Sequence, residues 1–268
     1  MAHAKAIFFG EHALVYGKKG ISIPLNQMKI NVKLNKTDTT QERDEIIDYI
    51  AKECGISNTT EIKITSSIPL GRGLGSSAAL SVAIARANSC KNIKEIADKC
   101  EKFIHGNPSG IDVSQVLSDK PLLFSKEEGA QELDFTLDAY LLIIDTGIVG
   151  ITKHAVERVR KNYEQNKRAI EELGNISLEV IEPLKNKDIE KVASYMNKAH
   201  ILLNELSVCH PANNEVVEIS KKNGAIGAKL TGGGDGGCCI ALTPEQNTAK
   251  KIQKKLKEKG YSSWIVTL

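Results

Sequence analysis

A glycine-rich segment, PLGRGLGSSAA at residues 69–79, constrains the fold of this chain more than any other feature. Glycine allows backbone amides to turn inward and approach a bound group closely. The alanine-rich stretch at residues 78–87 has a good composition for a helix. Such a helix would present free amides and the positive end of its dipole to the loop, which predicts a phosphate-binding site. The segment is not a Walker A motif, because G-x-x-x-x-G-K-[ST] is absent.

Ser76 and Ser77 stand where that helix should start, so they are positioned to cap the helix, to bind magnesium, or both. The structural alternative is a glycine turn that is capped by serine and binds nothing. A second glycine-rich segment, KLTGGGDGGC at residues 229–238, has five glycines in six positions. That many glycines cost folding entropy, so the segment indicates close approach to a ligand, with a flexible hairpin as the alternative.

Two further segments carry side chains suited to phosphoryl transfer. Glu101 lies upstream of the turn-rich segment HGNPSGID, which ends at Asp112. Phosphoryl transfer needs one group that faces the acceptor hydroxyl and another that holds metal, although either acid alone would more often be a surface residue or a cap. Lys5 precedes the segment GEHALVYG at residues 10–17, and its ammonium can lower the pKa of a hydroxyl or bind an anion. His12 by itself would more often be structural.

The hydrophobic pattern predicts an α+β fold, because strands and helices are mixed without strict alternation. We place a domain boundary after residue 137, which gives domains at 1–137 and 138–268. Strands are predicted at residues 7–9, 30–34, 62–64, 140–145 and 264–268. Helices are predicted at residues 42–52, 78–87, 93–104, 213–222 and 249–259, with further helical faces over 156–173 and 189–206.

Composition argues against several classes of protein. A net charge of +3 and few aromatic residues are poorly suited to nucleic-acid binding. The six cysteines contain no C-x-x-C pair, so zinc-site spacing is absent, and scattered cysteines indicate reduced thiols and a cytoplasmic location. The longest aliphatic runs are too short to span a bilayer, and no signal peptide is expected, so no membrane partner is predicted.

The four segments, taken in this order, resemble those of the GHMP kinases, named for galacto-, homoserine, mevalonate and phosphomevalonate kinases. Within that family, GEHALVYG, HGNPSGID and the segment VCHP at residues 208–211 are similar to those of the mevalonate kinases. The resemblance implies an N-terminal domain like the second domain of ribosomal protein S5 and a ferredoxin-like C-terminal domain. It also implies ATP as co-substrate, Mg²⁺ as cofactor and mevalonate as the small-molecule acceptor, in isoprenoid biosynthesis.

The resemblance also implies roles for individual residues. Asp112 would face the 5-hydroxyl of mevalonate with Lys5 beside it, and whether Asp112 removes the proton stays open. Ser76, Ser77 and Glu101 would hold magnesium. Glu11, His12 and Thr152 would shape the substrate site. The implied nucleotide-binding residues are Pro69, Gly71, Gly73, Leu74, Gly75, Ser76, Ser77, Ala78, Gly232, Gly233 and Gly234.

This chain departs from the family pattern in two places. The usual Pro-Gly-Lys near the start is His3-Ala-Lys5, and the usual TGAGGGG is TGGGDGG, with Gly233 and Asp235 as the differences. A carboxylate near phosphates should repel them, so we expect Asp235 to point outward. The alternatives are a GHMP kinase for phosphomevalonate, homoserine or a sugar, a decarboxylase of the superfamily, or a non-catalytic ATP-binding regulator. The sequence leaves open whether the protein is a monomer or a homodimer.

Overall fold

A computed structural model describes residues 1–106 and 108–268, so residue 107 of the HGNPSGID segment lies outside the described residues. The chain forms two compact units that alternate along the sequence. The first contains Met1–Lys5, Ile23–Leu70 and Leu74–Lys120, and the second contains Ala6–Ser22, Gly71–Gly73 and Pro121–Leu268. Because the units interleave, they do not test a single boundary, and the boundary after residue 137 stays a prediction.

The first unit combines antiparallel strands with helices. Its elements are β1 (Ala2–Phe9) and β2 (Gly20–Lys36), which both also contribute to the second unit, followed by α1 (Glu45–Glu53), β3 (Thr60–Ser66), α2 (Ser76–Ala87), α3 (Ile93–His105) and α4 (Ile111–Leu117). β2 pairs antiparallel with β3, from Ile30 opposite Ser66 to Lys36 opposite Thr60. The helices α1, α2 and α3 pack on one another around the buried side chains of Ile50, Ile84 and Ile96.

The second unit is built on a four-stranded antiparallel sheet. Its elements are a 3-10 helix (Ala13–Tyr16), β4 (Leu122–Ser125), β5 (Gly129–Glu132), β6 (Tyr140–Asp145), α5 (Thr152–Lys161), α6 (Tyr163–Glu179), α7 (Ile181–Lys185), α8 (Ile189–Glu205), α9 (Pro211–Lys222), β7 (Gly227–Thr231), β8 (Cys238–Thr243), α10 (Gln246–Glu258) and β9 (Ser262–Thr267). The strand order is β7-β8-β6-β9, and α8, α9 and α10 contact the sheet. Leu142, Ile144, Val216 and Ile252 are among the side chains of its core.

The predicted α+β class is confirmed, and most predicted elements are present. β2 begins at Gly20 rather than near Ile30, because Ile21, Ser22 and Ile23 are all buried and therefore show no alternation. α4 was not predicted as a helix, and it places Asp112 in its first turn. Among the described residues, no helix is both long enough and apolar enough to span a membrane.

Candidate functional site

Lys5 and Asp112 form an ion pair in the first unit. The Lys5 Nζ atom lies 2.8 Å from Asp112 Oδ1, and the lysine side chain is 2% exposed. Lys5 comes from β1 and Asp112 from the first turn of α4. A methyl group at Gly75 would lie 2.9 Å from Lys5 Cγ, so a glycine is needed where the lysine side chain passes the loop. The structure therefore brings the two predicted catalytic residues together.

Glu101 is a buried acid in the same unit, at 2% exposure. Burial raises its pKa to about 7 from an ordinary 4.5, and the negative charge of Asp112 adds to the effect, while Ser77 and Lys5 oppose it. Its Oε1 atom is buried and has no hydrogen-bond partner among the described residues. A buried carboxylate of this kind is suited to bind a cation, because a bound cation would offset the cost of burying its negative charge.

The residues present fit the implied magnesium ion. Magnesium in kinases is bound by one or two carboxylates together with phosphates and water, so a large protein cluster is not required. Within the described residues, no group of three or more His, Cys, Asp or Glu side chains is arranged to hold a metal. The buried Glu101 Oε1 atom and the nearby Ser77 hydroxyl are oxygen donors of the type that Mg²⁺ prefers.

The expectation that Ser76 or Ser77 caps α2 is wrong. Gly75 is the N-cap residue, with φ at 71°, a left-handed conformation that glycine adopts at little cost, and the cap has no side-chain hydrogen bond. Ser76 and Ser77 are instead the first two residues of the helix. The Ser77 hydroxyl lies 3.2 Å from His105 Nε2, and His105 lies 3.7 Å from Glu101 Oε2. Capping therefore does not occupy either serine hydroxyl.

In the second unit, Glu11 forms a fully buried ion pair with Lys229. The Lys229 ammonium also donates to the carbonyl of Leu230 at 2.7 Å. Removing one member of such a pair would leave an uncompensated buried charge. Glu11 thus anchors the segment that carries His12 against β7, and the Thr231 hydroxyl supports it by bonding both the N–H and the carbonyl of Ile7.

His12 is an uncharged acceptor. Burial lowers its pKa to about 4, so the ring is neutral at pH 7. Its Nε2 atom lies 3.0 Å from the carbonyl oxygen of Gly233, and because a carbonyl only accepts, Nε2 must carry the proton. The Nδ1 atom therefore has a lone pair, and it is buried without a hydrogen-bond partner among the described residues. A ligand hydroxyl could supply the missing donor.

The two glycine-rich segments meet within the second unit. A methyl group at Gly73 would lie 4.0 Å from the Cα atom of Gly232, and both glycines have positive φ. A recess here is lined by Arg72, Gly73, Gly150, Thr152, Thr231, Gly233, Gly234 and Gly237. Its backbone amides and the Arg72 guanidinium suit an anion. The other predicted nucleotide residues belong to the loop before α2 or its first turn, where Leu74 and Ala78 are buried, Pro69 is half-buried and Gly71 has φ at 67°.

Three residues that shape this region were not among the predicted site residues: Arg72, Asn213 and Arg158. Arg72 Nε lies 2.9 Å from Asp145 Oδ1, and its Nη2 atom donates to the carbonyl of Gly147. Asn213 is fully buried and binds both the N–H and the carbonyl of Gly236. Arg158 pairs with Asp235, so that carboxylate is neutralised by a neighbour rather than simply pointing outward. Of the three, only Arg72 could have been found from the sequence, because it lies inside the first glycine-rich segment.

Comparison with known proteins places these features in a family. The model of the GHMP kinases N terminal domain matches residues 43–120, and that of the GHMP kinases C terminal matches residues 180–262. A mevalonate kinase of Thermococcus sibiricus is 30% identical over 92% of this chain and 89% of its own length. The chain belongs to the GHMP kinase family.

A further sequence relative agrees with this assignment, and a solved structure shares the fold. The mevalonate kinase of Pyrococcus horikoshii is 31% identical to this GHMP kinase over 94% of this chain and 91% of its own. A crystal structure of L. major mevalonate kinase in complex with R-mevalonate has a TM-score of 0.88, covering 99% of this chain and 94% of that one at 24% identity. That structure supports the fold. The sequence relatives span nearly the whole of the chain.

Proposed function

We propose that this GHMP kinase is a mevalonate kinase, which transfers the γ-phosphate of ATP to the 5-hydroxyl of mevalonate. The observation that carries the proposal is the ion pair between the buried Lys5 and the partly exposed Asp112, which is close enough to Glu101 to affect its pKa. An enzyme of this type needs an acceptor-facing carboxylate and a metal-holding carboxylate. The curated relatives that match most of this chain carry the same activity in their names.

Asp112 and Lys5 would act on the acceptor hydroxyl. The hydroxyl oxygen forms a bond to the γ-phosphorus while the bond from that phosphorus to the oxygen of ADP breaks. Asp112 accepts the hydroxyl proton as the transfer proceeds, and the Lys5 ammonium stabilises the negative charge that develops. The ion pair also fixes the direction of both groups, and alignment is a major part of the acceleration of phosphoryl transfer.

Glu101, Ser76 and Ser77 would hold the magnesium ion. When bound, Mg²⁺ neutralises charge on the phosphates and orients them for transfer. Glu101 contributes a carboxylate oxygen that is buried without a hydrogen-bond partner in the described part of the chain, and the α2 N-terminus contributes free amides and the positive end of the helix dipole. In the second unit, the backbone amides of Gly232–Gly234 are suited to bind an anion.

Glu11, His12 and Thr152, all in the second unit, would shape the binding of the substrate. Glu11 acts through its ion pair with Lys229, which holds the segment carrying His12. His12 accepts a hydrogen bond from a substrate hydroxyl at Nδ1, because its Nε2 proton is used by Gly233. A positively charged His12 would instead suit a carboxylate, and burial disfavours that form.

An acceptor panel tests the proposal. Purified protein is incubated with ATP and Mg²⁺ and one alcohol at a time, namely mevalonate, 5-phosphomevalonate, homoserine or galactose, and ADP release is followed. We expect ADP and 5-phosphomevalonate from mevalonate, with Asp112→Asn as the control whose turnover is strongly reduced. Turnover of another acceptor with none of mevalonate would assign a different GHMP activity. ATP binding without turnover of any acceptor would indicate a regulator.

A further inference from the structure

The second glycine-rich segment is a fixed platform in the second unit. We call residues 232–237 the glycine loop. The N–H of Asp235 donates to the carbonyl of Val208 at 2.8 Å, and the Asn213 side chain binds both backbone groups of Gly236. The N–H of Gly237 donates to the carbonyl of Ile148 at 2.9 Å. These bonds hold residues 235–237, and His12 Nε2 donates to the carbonyl of Gly233 at 3.0 Å, so an element packed against the glycine loop is positioned by it.

Gly233 has no room for a side chain, because Thr152 occupies that space. A methyl group at Gly233 would lie 2.3 Å from Thr152 Oγ1 and 2.7 Å from Thr152 Cβ. Such distances are far below van der Waals contact, so an alanine here would force the threonine to move. Thr152 is the first residue of α5. The start of α5 therefore packs directly on the backbone of the glycine loop.

Asp235 contacts the same helix farther along. It has φ at 56°, a left-handed conformation that favours glycine, so a local cost accompanies the side chain. Its carboxylate forms an ion pair with Arg158 near the end of α5, and the two side chains are 27% and 40% exposed. Gly233 and Asp235 lie two residues apart in the glycine loop, and both contact α5. Gly233 leaves space for Thr152, and Asp235 binds Arg158.

We infer that Asp235 and Arg158 are positioning residues, which hold α5 on the glycine loop and so fix Thr152 beside Gly233. The inference rests on the proposed function to the extent that Thr152 contacts the substrate. An exposed ion pair alone would contribute little. Here, however, the ion pair joins a platform that is fixed by Asn213 and Val208 to a helix whose first residue lines the same recess. A displacement of a binding group by about 1 Å can lower a rate by about a hundredfold.

The first test is a kinetic double-mutant cycle on the ion pair. Asp235→Asn and Arg158→Met remove the charges with little change in size. Arg160→Met, an exposed arginine on the same helix, is the matched control. We expect each single variant to lower kcat/KM for mevalonate about tenfold, mainly through KM for mevalonate, with KM for ATP retained. The double variant should equal either single variant, and Arg158→Lys should recover part of the loss. Kinetics like those of the Arg160→Met control, or losses that multiply, would overturn the inference.

The second test adds a methyl group at position 233, where the space is occupied by Thr152. Gly233→Ala should displace Thr152 and lower kcat/KM for mevalonate when made alone. In the Asp235→Asn background, α5 is no longer held, so the same substitution should cost much less. Equal costs in both backgrounds would show that the two positions act independently and would overturn the inference.

Failure of the proposed function can be told apart from failure of this inference. Urea unfolding of the Asp235→Asn and Arg158→Met cycle reports the ion pair without any substrate, and we expect the two effects on the unfolding midpoint to be non-additive. If mevalonate is not a substrate but the unfolding cycle is coupled, the proposed function fails and the contact between α5 and the glycine loop stands. Additive unfolding effects would refute that contact, whatever the substrate.

Discussion

The Lys5 ammonium lies 2.8 Å from the Asp112 carboxylate, in surroundings where the lysine side chain is almost completely buried. A buried ammonium without a counter-ion would be costly, so the Asp112 carboxylate stabilises the position of the Lys5 side chain. Gly75 makes the arrangement sterically feasible, because any side chain at that position would collide with Lys5. The ion pair therefore couples the first glycine-rich segment to the residue expected to face the acceptor.

Asp112→Asn and Lys5→Met should each reduce turnover on the order of a hundredfold or more, the usual scale of general acid–base contributions. The asparagine preserves the shape and removes the charge, so ATP binding should be largely kept. Because the two residues work as a unit, the double variant should be little worse than either single one. Steady-state kinetics of the three variants provide the measurement. Losses that multiply would show that the residues act independently.

Replacing Ser76 and Ser77 together with alanine should weaken binding of the Mg²⁺–ATP complex and slow turnover. Neither serine caps α2, so the free energy of unfolding should change by less than about 1 kcal/mol. Ser81→Ala is the matched control on the same helix, because its hydroxyl bonds the carbonyl of Ser77. Nucleotide titration with and without Mg²⁺, together with urea unfolding, separates the two effects. Normal turnover in the double variant would make the segment purely structural.

The elements that could be predicted are those whose residue pattern lies within one short stretch of the sequence. β6 was predicted residue for residue, because Tyr140 to Asp145 is a compact apolar run, and α2 and α3 were predicted from composition and periodicity. The serine cap was predicted wrongly because two good capping residues follow a glycine that is itself the cap. The pairing of Lys5 with Asp112 depended on family resemblance, since no local pattern links positions so far apart.

The missed residues act through contacts between distant parts of the chain. In the sequence, Asn213 looks like an ordinary residue at the start of a helix. It does complete a capping box with His210 at the start of α9. Its side-chain amide also binds the carbonyl of Gly236, which the sequence does not indicate. Arg158 lies in a basic helix and resembles its exposed neighbour Arg160 in sequence. Only the folded chain shows that Arg158 pairs with Asp235. No periodicity in the sequence predicts an ion pair between residues so far apart along the chain.

Glu101→Gln should abolish magnesium-dependent turnover while making the metal-free protein more stable at alkaline pH. The pKa of Glu101 is raised to about 7 from 4.5, so the ionised form destabilises the folded state and stability is lost as pH rises through that interval. The penalty amounts to about 3 kcal/mol at pH 8. Urea unfolding at pH 4.5 and pH 8 should show a gain for Glu101→Gln only at the higher pH. Glu95→Gln, an exposed acid on the same helix, is the control. A variant that is less stable than wild type at pH 8 would contradict the prediction.

His12 makes the folded state sensitive to acid. Its pKa is lowered to about 4 from 6.5, chiefly by burial, so the unfolded chain binds the proton more tightly. Stability should therefore be complete above pH 6.5 and fall as the pH drops towards 4, by about 2 kcal/mol at pH 5 from this residue alone. His200 is shifted in the same direction, so the comparison must be made against a variant and not against wild type alone. His12→Asn should remove the His12 share of the difference between pH 5 and pH 8.

Two substitutions at position 12 test the two ring nitrogen atoms of His12 separately. Asparagine places its carbonyl oxygen near the Nδ1 position and tolerates the φ of 62° found there, whereas glutamine places its amide nitrogen near Nε2. His12→Gln should keep the bond to Gly233 and lose the acceptor, which would raise KM for mevalonate and leave KM for ATP unchanged. His12→Asn should keep the acceptor and retain more of the mevalonate affinity. Both KM values for the two variants, measured at pH 8 where His12 is neutral, give the comparison. Tighter mevalonate binding in His12→Gln than in His12→Asn would refute an acceptor role for Nδ1.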